Sequence, residues 1–313
     1  MAHIVTVTES ESGQKLINFL RRRLADKVPN SALMRWIRTG QVRVDKGRAK
    51  PFVRIKAGSE VRLPPQAMLR DVEGGCRNIP EKKAPLLPDI IHNDDKILVL
   101  NKPAGLPVHG GTRVEDSLAA CLAAQYGGYA FTPTLAHRLD KDTSGLIIAA
   151  LGYEALSTLH GMFANHEVVK IYLAWVKGRW REKGVTLLQD RLEKKRGHQF
   201  ERTTTGSGKH AETRAVAILS SPEKSLLALR LITGRTHQLR AQLSDRGHAI
   251  LGDRKYGGPL SRRLRLHAWR ILLPDSGLGE AKSFAALPDW QGEAALSLPL
   301  SEVWWGLLED DPS

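Results

Sequence analysis

The first 65 residues change from a helical to a strand-like alternation of apolar and polar positions. From Lys15 to Leu24 the apolar residues Leu16, Phe19, Leu20 and Leu24 recur at three- and four-residue spacing, while Arg21, Arg22 and Arg23 fan outwards. Pro29-Asn30-Ser31 stops that helix and caps a second one. There Leu33, Met34, Trp36 and Ile37 alternate with Arg35 and Arg38, and Gly40 closes it. Gln41–Asp45, which includes Arg43, then alternates with period two; Lys46-Gly47 turns, and Glu60–Leu63 alternates again before Pro64-Pro65. The pattern predicts a small α+β unit over residues 1–65. Between 66 and 88 periodicity fades, and Gly74-Gly75, Pro80, Pro85 and Pro88 predict a linker.

From residue 89 to 313 the texture is that of a larger second domain. Strands are predicted at Ile90-Ile91, Ile97–Leu100, Leu146–Leu151, Val168–Val176, Glu212–Leu219, Leu226–Ile232 and Arg265–Leu273. Helices are predicted at Ser117–Ala124, Tyr153–Phe163 and Arg235–Leu243. The order is neither strictly β-α-β-α nor all-β. The expected fold class is therefore α+β: a mixed, largely antiparallel central sheet with packed helices, plus the small N-terminal α+β unit.

Charge changes the picture. Lys and Arg number 47 against 33 Asp and Glu, a net charge of +14. Residues 13–65 alone hold 14 Lys and Arg against three acidic residues. An excess concentrated in one unit argues for a polyanion-binding module rather than general solubility charge. Arg21, Arg22, Arg35, Arg38, Arg43 and Lys46 are its candidate RNA-binding residues. The start, MAHIVTVTES, has no basic segment followed by an apolar one, and no apolar run approaches the ~20 residues that cross a bilayer. The two cysteines, Cys76 and Cys121, lack metal-site or disulfide spacing and read as free thiols. A soluble protein without membrane association, in the cytoplasm, is expected.

The densest chemistry lies in Thr134–Gly145. Five ionisable residues, His137, Arg138, Asp140, Lys141 and Asp142, fall within six positions between two apolar runs. Such a loop presents side chains at a sheet end. Three readings stand: a turn in which Asp140 and Asp142 cap backbone amides; a Mg²⁺ phosphotransfer site, which needs further carboxylates in later loops; and a single catalytic Asp with a cationic partner. In Thr233–Arg240, Arg235 sits at a strand-to-helix junction where it can pair with a buried Asp or form a surface ion pair, whereas His237 and Gln238 read as backbone-satisfying groups. Lys170 and Tyr172 share a face of a strand, and Tyr172 can stack on a base or fill the core. The common nucleotide-loop, serine-hydrolase and zinc-protease motifs are absent from the sequence.

Taken together, HRLDKDTSG at 137–145, NKPAGLPVH at 101–109, KIYLAWVKG at 170–178, GRTHQLR at 234–240 and LHA at 266–268 resemble the RluA family of pseudouridine synthases. The unit from Gly13 to Pro65 resembles the S4 RNA-binding domain at the start of many members. KHAETRA at 209–215 is similar to the RluC subgroup, which modifies large-subunit ribosomal RNA. The resemblance implies isomerisation of uridine to pseudouridine by a monomer that needs no metal or other cofactor and acts on ribosomal RNA or a pre-ribosomal particle. Its alternatives are a tRNA pseudouridine synthase or an RNA-binding ribosome-assembly protein without turnover. It implies Asp140 as the catalytic carboxylate, Arg235 as its paired arginine and Tyr172 as the residue packing on the base. Arg138 would fill the space left by the flipped nucleotide, and Leu239 would line the pocket. His137 and Lys170 join the substrate-binding set as neighbours in the same motifs.

Overall fold

The computed structural model describes residues 3–24, 28–67, 86–110, 116–196 and 201–290. Most of the expected linker, 68–85, lies outside them, as do Cys76 and residues 291–313. The N-terminal unit contains β1 (His3–Thr6), α1 (Leu16–Arg23), α2 (Asn30–Arg38), β2 (Arg43–Val44), β3 (Gly47–Arg48) and β4 (Glu60–Leu63). Its four strands form an antiparallel sheet in the order β1-β4-β2-β3. The predicted apolar faces meet in one core, with Leu16, Phe19 and Leu20 of α1 against Leu33, Trp36 and Ile37 of α2 and Val61 of β4. Each such side chain stabilises the fold by about 1.5–3 kcal/mol.

The arginines of α1 do not all fan outwards. Arg23 makes a two-pronged ion pair with the buried Glu11, at 2.6 and 2.7 Å. Arg22 stacks 4.4 Å from the Phe131 ring and donates to Thr134 Oγ1 at 2.7 Å. That contact corrects the expectation for Arg22, because the guanidinium ties the N-terminal unit to the strand leading into the Asp140 loop.

The remaining strands build one eleven-stranded sheet. They are β5 (Asp89–Asn93), β6 (Ile97–Lys102), β7 (Thr134–Leu135), β8 (Ser144–Ala150), β9 (Val169–Lys177), β10 (Thr186–Arg196), β11 (Glu201–Thr205), β12 (Lys209–Ser220), β13 (Lys224–Leu231), β14 (Leu266–Leu273) and β15 (Lys282–Ala285). The main path is β11-β10-β12-β13-β9-β14-β8-β6-β5, with β15 on β14 and β7 on β8. Helices α3 (Leu118–Tyr126), α4 (Tyr153–Ala164) and α5 (Gln238–Asp245) pack on it. The fold is thus the α+β class expected. No described helix is long and apolar enough to cross a membrane. The central strands read as continuous apolar runs because both faces are covered. Leu98, Leu100, Ile147 and Ala149 face one core, whereas Ile97, Val99, Leu146 and Ile148 face the other with α4.

Among the described residues every strand pairing is antiparallel except β14 with β8, which meet in parallel at His267↔Ser144 and Ala268↔Gly145. That junction explains two motifs. Gly145 has φ +111°, and a Cβ there would lie 2.2 Å from the Ala268 carbonyl oxygen, so only glycine admits β14 this close. His267 is buried, and its Nδ1 and Nε2 lie 2.8 Å from Ser144 Oγ and the Ala286 carbonyl oxygen. A neutral imidazole that accepts from Ser144 and donates to Ala286 satisfies both. Burial pushes the His267 pKa down to about 4. The unfolded chain therefore takes up this proton first as pH falls, and the stability contributed by the neutral ring, complete above about 6.5, is lost progressively towards pH 4. The melting temperature should drop between pH 7.5 and 4.5, and His267→Asn should show a shallower drop. An equally steep profile in that variant would contradict the assignment.

Candidate active site

The loop between β7 and β8 carries Asp140, and backbone contacts fix it. Thr143 N–H donates to the Asp140 carbonyl at 3.2 Å. The next carbonyl, of Lys141, accepts from the Gly105 N–H at 2.9 Å and from Lys102 Nζ at 3.0 Å. Lys102 ends β6, is fully buried, and also donates to the carbonyls of Pro103 and Leu106 at 3.0 and 2.8 Å. Burial pulls its pKa down to about 8, against the opposing fields of Asp142 and Asp140. Sequence alone assigns Lys102 no role of its own. Its signal is a lysine ending an otherwise apolar strand just before a proline. Lys102→Met keeps the bulk and removes all three donors. The expected cost is about 1–3 kcal/mol, seen as a lower melting temperature, with activity lost as the loop loosens.

The Asp140 carboxylate is one-fifth exposed and faces two cationic or ionisable groups. Arg240 Nη1 lies 3.4 Å from its Oδ2, and His237 Nε2 lies 3.7 Å from the same oxygen. Arg240 is itself held by the buried Asp253, Nε to Oδ2 at 2.7 Å and Nη2 to Oδ1 at 2.8 Å, with its guanidinium 5.1 Å from the Tyr256 ring. Burial opposes the Arg240 charge, but the Asp253 bonds and the field of Asp140 outweigh it and hold the pKa above its usual value. The guanidinium spans both carboxylates, so the Asp140 side chain is oriented by a rigid, charged fork.

This geometry corrects the pairing expected for Arg235, whose Nε donates to the His210 carbonyl at 2.9 Å. The cause is the local backbone. The predicted helix Arg235–Leu243 begins only at Gln238, because His237 has φ 52° in the left-handed region and breaks the helical phase. Gln238 holds that turn. Its Oε1 accepts from Thr233 Oγ1 at 2.8 Å and from Arg235 N–H at 3.0 Å, while its Nε2 donates to the Glu212 carbonyl at 2.9 Å. Arg235 still lines the cavity wall, but Arg240, in the first turn of α5, faces the carboxylate.

A cavity of about 110 Å³ opens beside Asp140, lined by Tyr172, Leu231, Leu239, Leu266, Arg240 and the exposed Arg138. Tyr172 and Leu239 are buried in the core against Leu229 and Ala268. Burial first, and then the Asp140 charge, raise the Tyr172 pKa. His237 also borders the cavity, with its Nδ1 3.0 Å from Tyr256 Oη; burial lowers its pKa against the opposing pull of Asp140. His137 and Lys170 gather elsewhere. His137 Nε2 accepts the Ile148 N–H at 3.0 Å, its ring lies 4.7 Å from Phe163, and burial pushes its pKa down to about 3. Lys170 Nζ lies 5.8 Å from the same Phe163 ring, and burial lowers its pKa too. Neither lines the cavity at Asp140.

Apart from Leu266, the lining of this carboxylate pocket comes from residues 96–245, the segment that matches the family model described as RNA pseudouridylate synthase. The chain is 37% identical over 299 residues to the ribosomal large subunit pseudouridine synthase C of Escherichia coli K12, covering 91% of this chain and 93% of that protein. It is 36% identical to the protein of that name from Haemophilus influenzae, covering 94% of each. The chain belongs to the RluA family of pseudouridine synthases. It is therefore an isomerase. Among solved structures it resembles human RNA Pseudouridylate Synthase Domain Containing 4, with TM-score 0.52 and 29% identity over 64% of this chain and 88% of that one. Human RNA Pseudouridylate Synthase Domain Containing 1 shares the fold, with TM-score 0.56 and 24% identity over 72% and 97%. The Mg²⁺ reading called for a carboxylate cluster, and the described residues contain no group of three or more His, Cys, Asp or Glu arranged to hold a metal ion.

On the N-terminal unit, Arg35 and Arg38 are exposed and line a groove of about 430 Å³ with Arg48 and Lys50, over the apolar Met34 and Ile37. Arg43 is turned into its own hairpin, donating to the carbonyls of Gly40 and Lys46 at 3.3 and 3.5 Å. Arg21 and Lys46 are exposed.

Proposed function

We propose that the chain converts specific uridines of large-subunit ribosomal RNA to pseudouridine, with Asp140 as the catalytic carboxylate. The observation that carries this reading is one carboxylate, oriented by Arg240, at the wall of a pocket that Tyr172 and Leu239 make apolar. The reaction breaks N1–C1′, turns the uracil and forms C5–C1′; C5 loses a proton and N1 gains one, so no atom enters or leaves. Asp140 meets the positive charge that develops at C1′. The uridine must first leave its stack, at a cost of about a few kcal/mol. Tyr172 packing on the base and Arg138 filling the vacated space would offset that cost. Residues 1–65 act as an S4-like RNA-binding domain joined through 66–88 to the synthase domain at 89–313, with Arg35, Arg38, Arg48 and Lys50 on phosphates. The enzyme works as a cytoplasmic monomer without a cofactor.

The ribosomal assignment rests on the names of the relatives. It is tested by incubating the protein with an unmodified large-subunit rRNA transcript and with unmodified tRNA, then mapping pseudouridines in both. Site-specific conversion of the rRNA alone is expected. Conversion of tRNA alone would replace the substrate, and stoichiometric binding without conversion would sink the enzymatic role.

A further inference from the structure

A second, larger cleft of about 770 Å³ opens beside the Asp140 pocket and shares Arg138, Leu139, Asp140, His237 and Arg240 with it. One wall is the segment Ala104–His109, and the other runs from Gly252 to Leu264. Besides Arg240, six cations line it: Arg138, Lys141, Arg254, Lys255, Arg262 and Arg263. None of the six side chains has a hydrogen-bond or ion-pair partner among the described residues, and all except the half-buried Lys255 are exposed. Of the carboxylates nearby, Asp253 is consumed by Arg240, which leaves Asp140 and Asp142 on the cleft wall. Positive charge is therefore concentrated next to the reaction centre, in excess of the two carboxylates there. Arg265, behind the wall, has a pKa lowered by burial and by the crowding charge of Arg263.

The wall from Gly252 to Leu264, which carries Arg254, Lys255, Arg262 and Arg263, is braced by its own backbone bonds. Gly252 N–H donates to the Pro259 carbonyl at 2.8 Å, Gly258 N–H to the Asp253 carbonyl at 2.9 Å, and Tyr256 N–H to the same carbonyl at 3.2 Å. Gly252, at φ +81°, lets the two arms of the loop touch, since a Cβ there would lie 2.1 Å from the Arg263 carbonyl oxygen. Asp253, which anchors Arg240, is also the pivot of this loop. The cations are thus held out on a preformed frame, which lowers the ordering cost of binding an extended polyanion.

We propose that residues 254–263 form a phosphate clamp, in which Arg254, Lys255, Arg262 and Arg263 grip the RNA backbone flanking the target uridine as it leaves the Asp140 pocket. This rests on the reading of Asp140 as the uridine site. A strand that delivers one nucleotide into the small pocket must continue through a space open to it, and this cleft shares its wall. The clamp is separate from the N-terminal groove, so the protein holds its RNA at two electrostatic sites.

The test uses the full chain and an unmodified large-subunit rRNA transcript, with kcat and KM measured across a KCl series. Arg262→Ala/Arg263→Ala and Arg254→Ala/Lys255→Ala should each raise KM about tenfold near physiological salt. Each should also flatten the slope of log(kcat/KM) against log salt by about 1.4, at roughly 0.7 per lost phosphate contact to a single strand. Arg262→Lys/Arg263→Lys should retain most of the wild-type slope. Removing two exposed charges that line neither cleft, Arg181→Ala/Lys183→Ala, should leave slope and KM unchanged. Wild-type slopes in both cleft variants, or an equal loss in the Arg181/Lys183 control, would overturn the clamp. If wild-type protein binds the transcript but converts no uridine, the catalytic reading fails. The same salt series read by RNA-binding anisotropy then decides the clamp alone.

Discussion

Asp140→Asn should abolish uridine conversion, by about four orders of magnitude or more, while RNA affinity stays within a few-fold of wild type. The magnitude follows from the role. The substitution is nearly isosteric and removes the one group that answers positive charge at C1′, and loss of an essential catalytic group commonly costs 10⁴–10⁶ in turnover. Affinity should survive because the cations of the cleft and of the N-terminal groove are untouched. The fold should survive too, since Lys102 and Gly105 hold the loop through the Lys141 carbonyl rather than through the Asp140 side chain. Single-turnover conversion of an rRNA transcript, with binding measured in parallel, checks the prediction. Turnover near the wild-type rate would remove Asp140 from the mechanism, and a parallel collapse of affinity would recast it as a structural residue.

The loop that carries Asp140 was legible from sequence because local density of ionisable residues between two apolar runs is itself unusual, and the family resemblance singled out Asp140 within it; the arginine that faces its carboxylate was not legible. A helix drawn from Arg235 gives a smooth periodicity, and Arg235 then looks like the arginine nearest the strand end. The single left-handed residue His237 resets the phase, and Gln238 starts the helix instead. Nothing in composition announces that turn, because it is set by the side-chain bonds of Gln238 to strand β12, distant in sequence. The same limit hid β10 and β11. Thr186–Arg196 is rich in charge and buries only Leu188 and Leu192 in the core, so its strand character rests mainly on pairing with β12 and β11. Where burial alone sets the structure, as in Ile97–Leu100 and Leu146–Ala150, the pattern and the strand coincide. Arg22 belongs to the first kind. Its helix was foreseen, but its contact with Phe131 and Thr134 depends on how two distant segments meet.

Arg240 provides the second large effect, because it is shared between folding and chemistry. Arg240→Ala strips both charged bonds from Asp253, which is 1% exposed, and leaves a buried carboxylate with no counter-charge and only the Tyr256 N–H, at 3.2 Å, donating to it. Breaking such a pair from one side costs about 3–5 kcal/mol. The loop 252–263, which pivots on Asp253, should loosen with it. The melting temperature should fall by several degrees and conversion should be lost, but this variant cannot separate the two roles. Arg240→Lys can. A lysine keeps one positive charge near Asp253 and so retains most of the stability, yet a point charge cannot reach both Asp253 oxygens and Asp140 at once. The Asp140 carboxylate then loses its fixed orientation, and a displacement of about 1 Å at a reacting group is worth on the order of 10²-fold in rate. The expected signature is a near-native melting temperature with kcat reduced about a hundredfold and KM little changed. A lysine variant with native kcat would mean that Arg240 holds Asp253 alone, and that the 3.4 Å approach to Asp140 has no part in orienting the carboxylate.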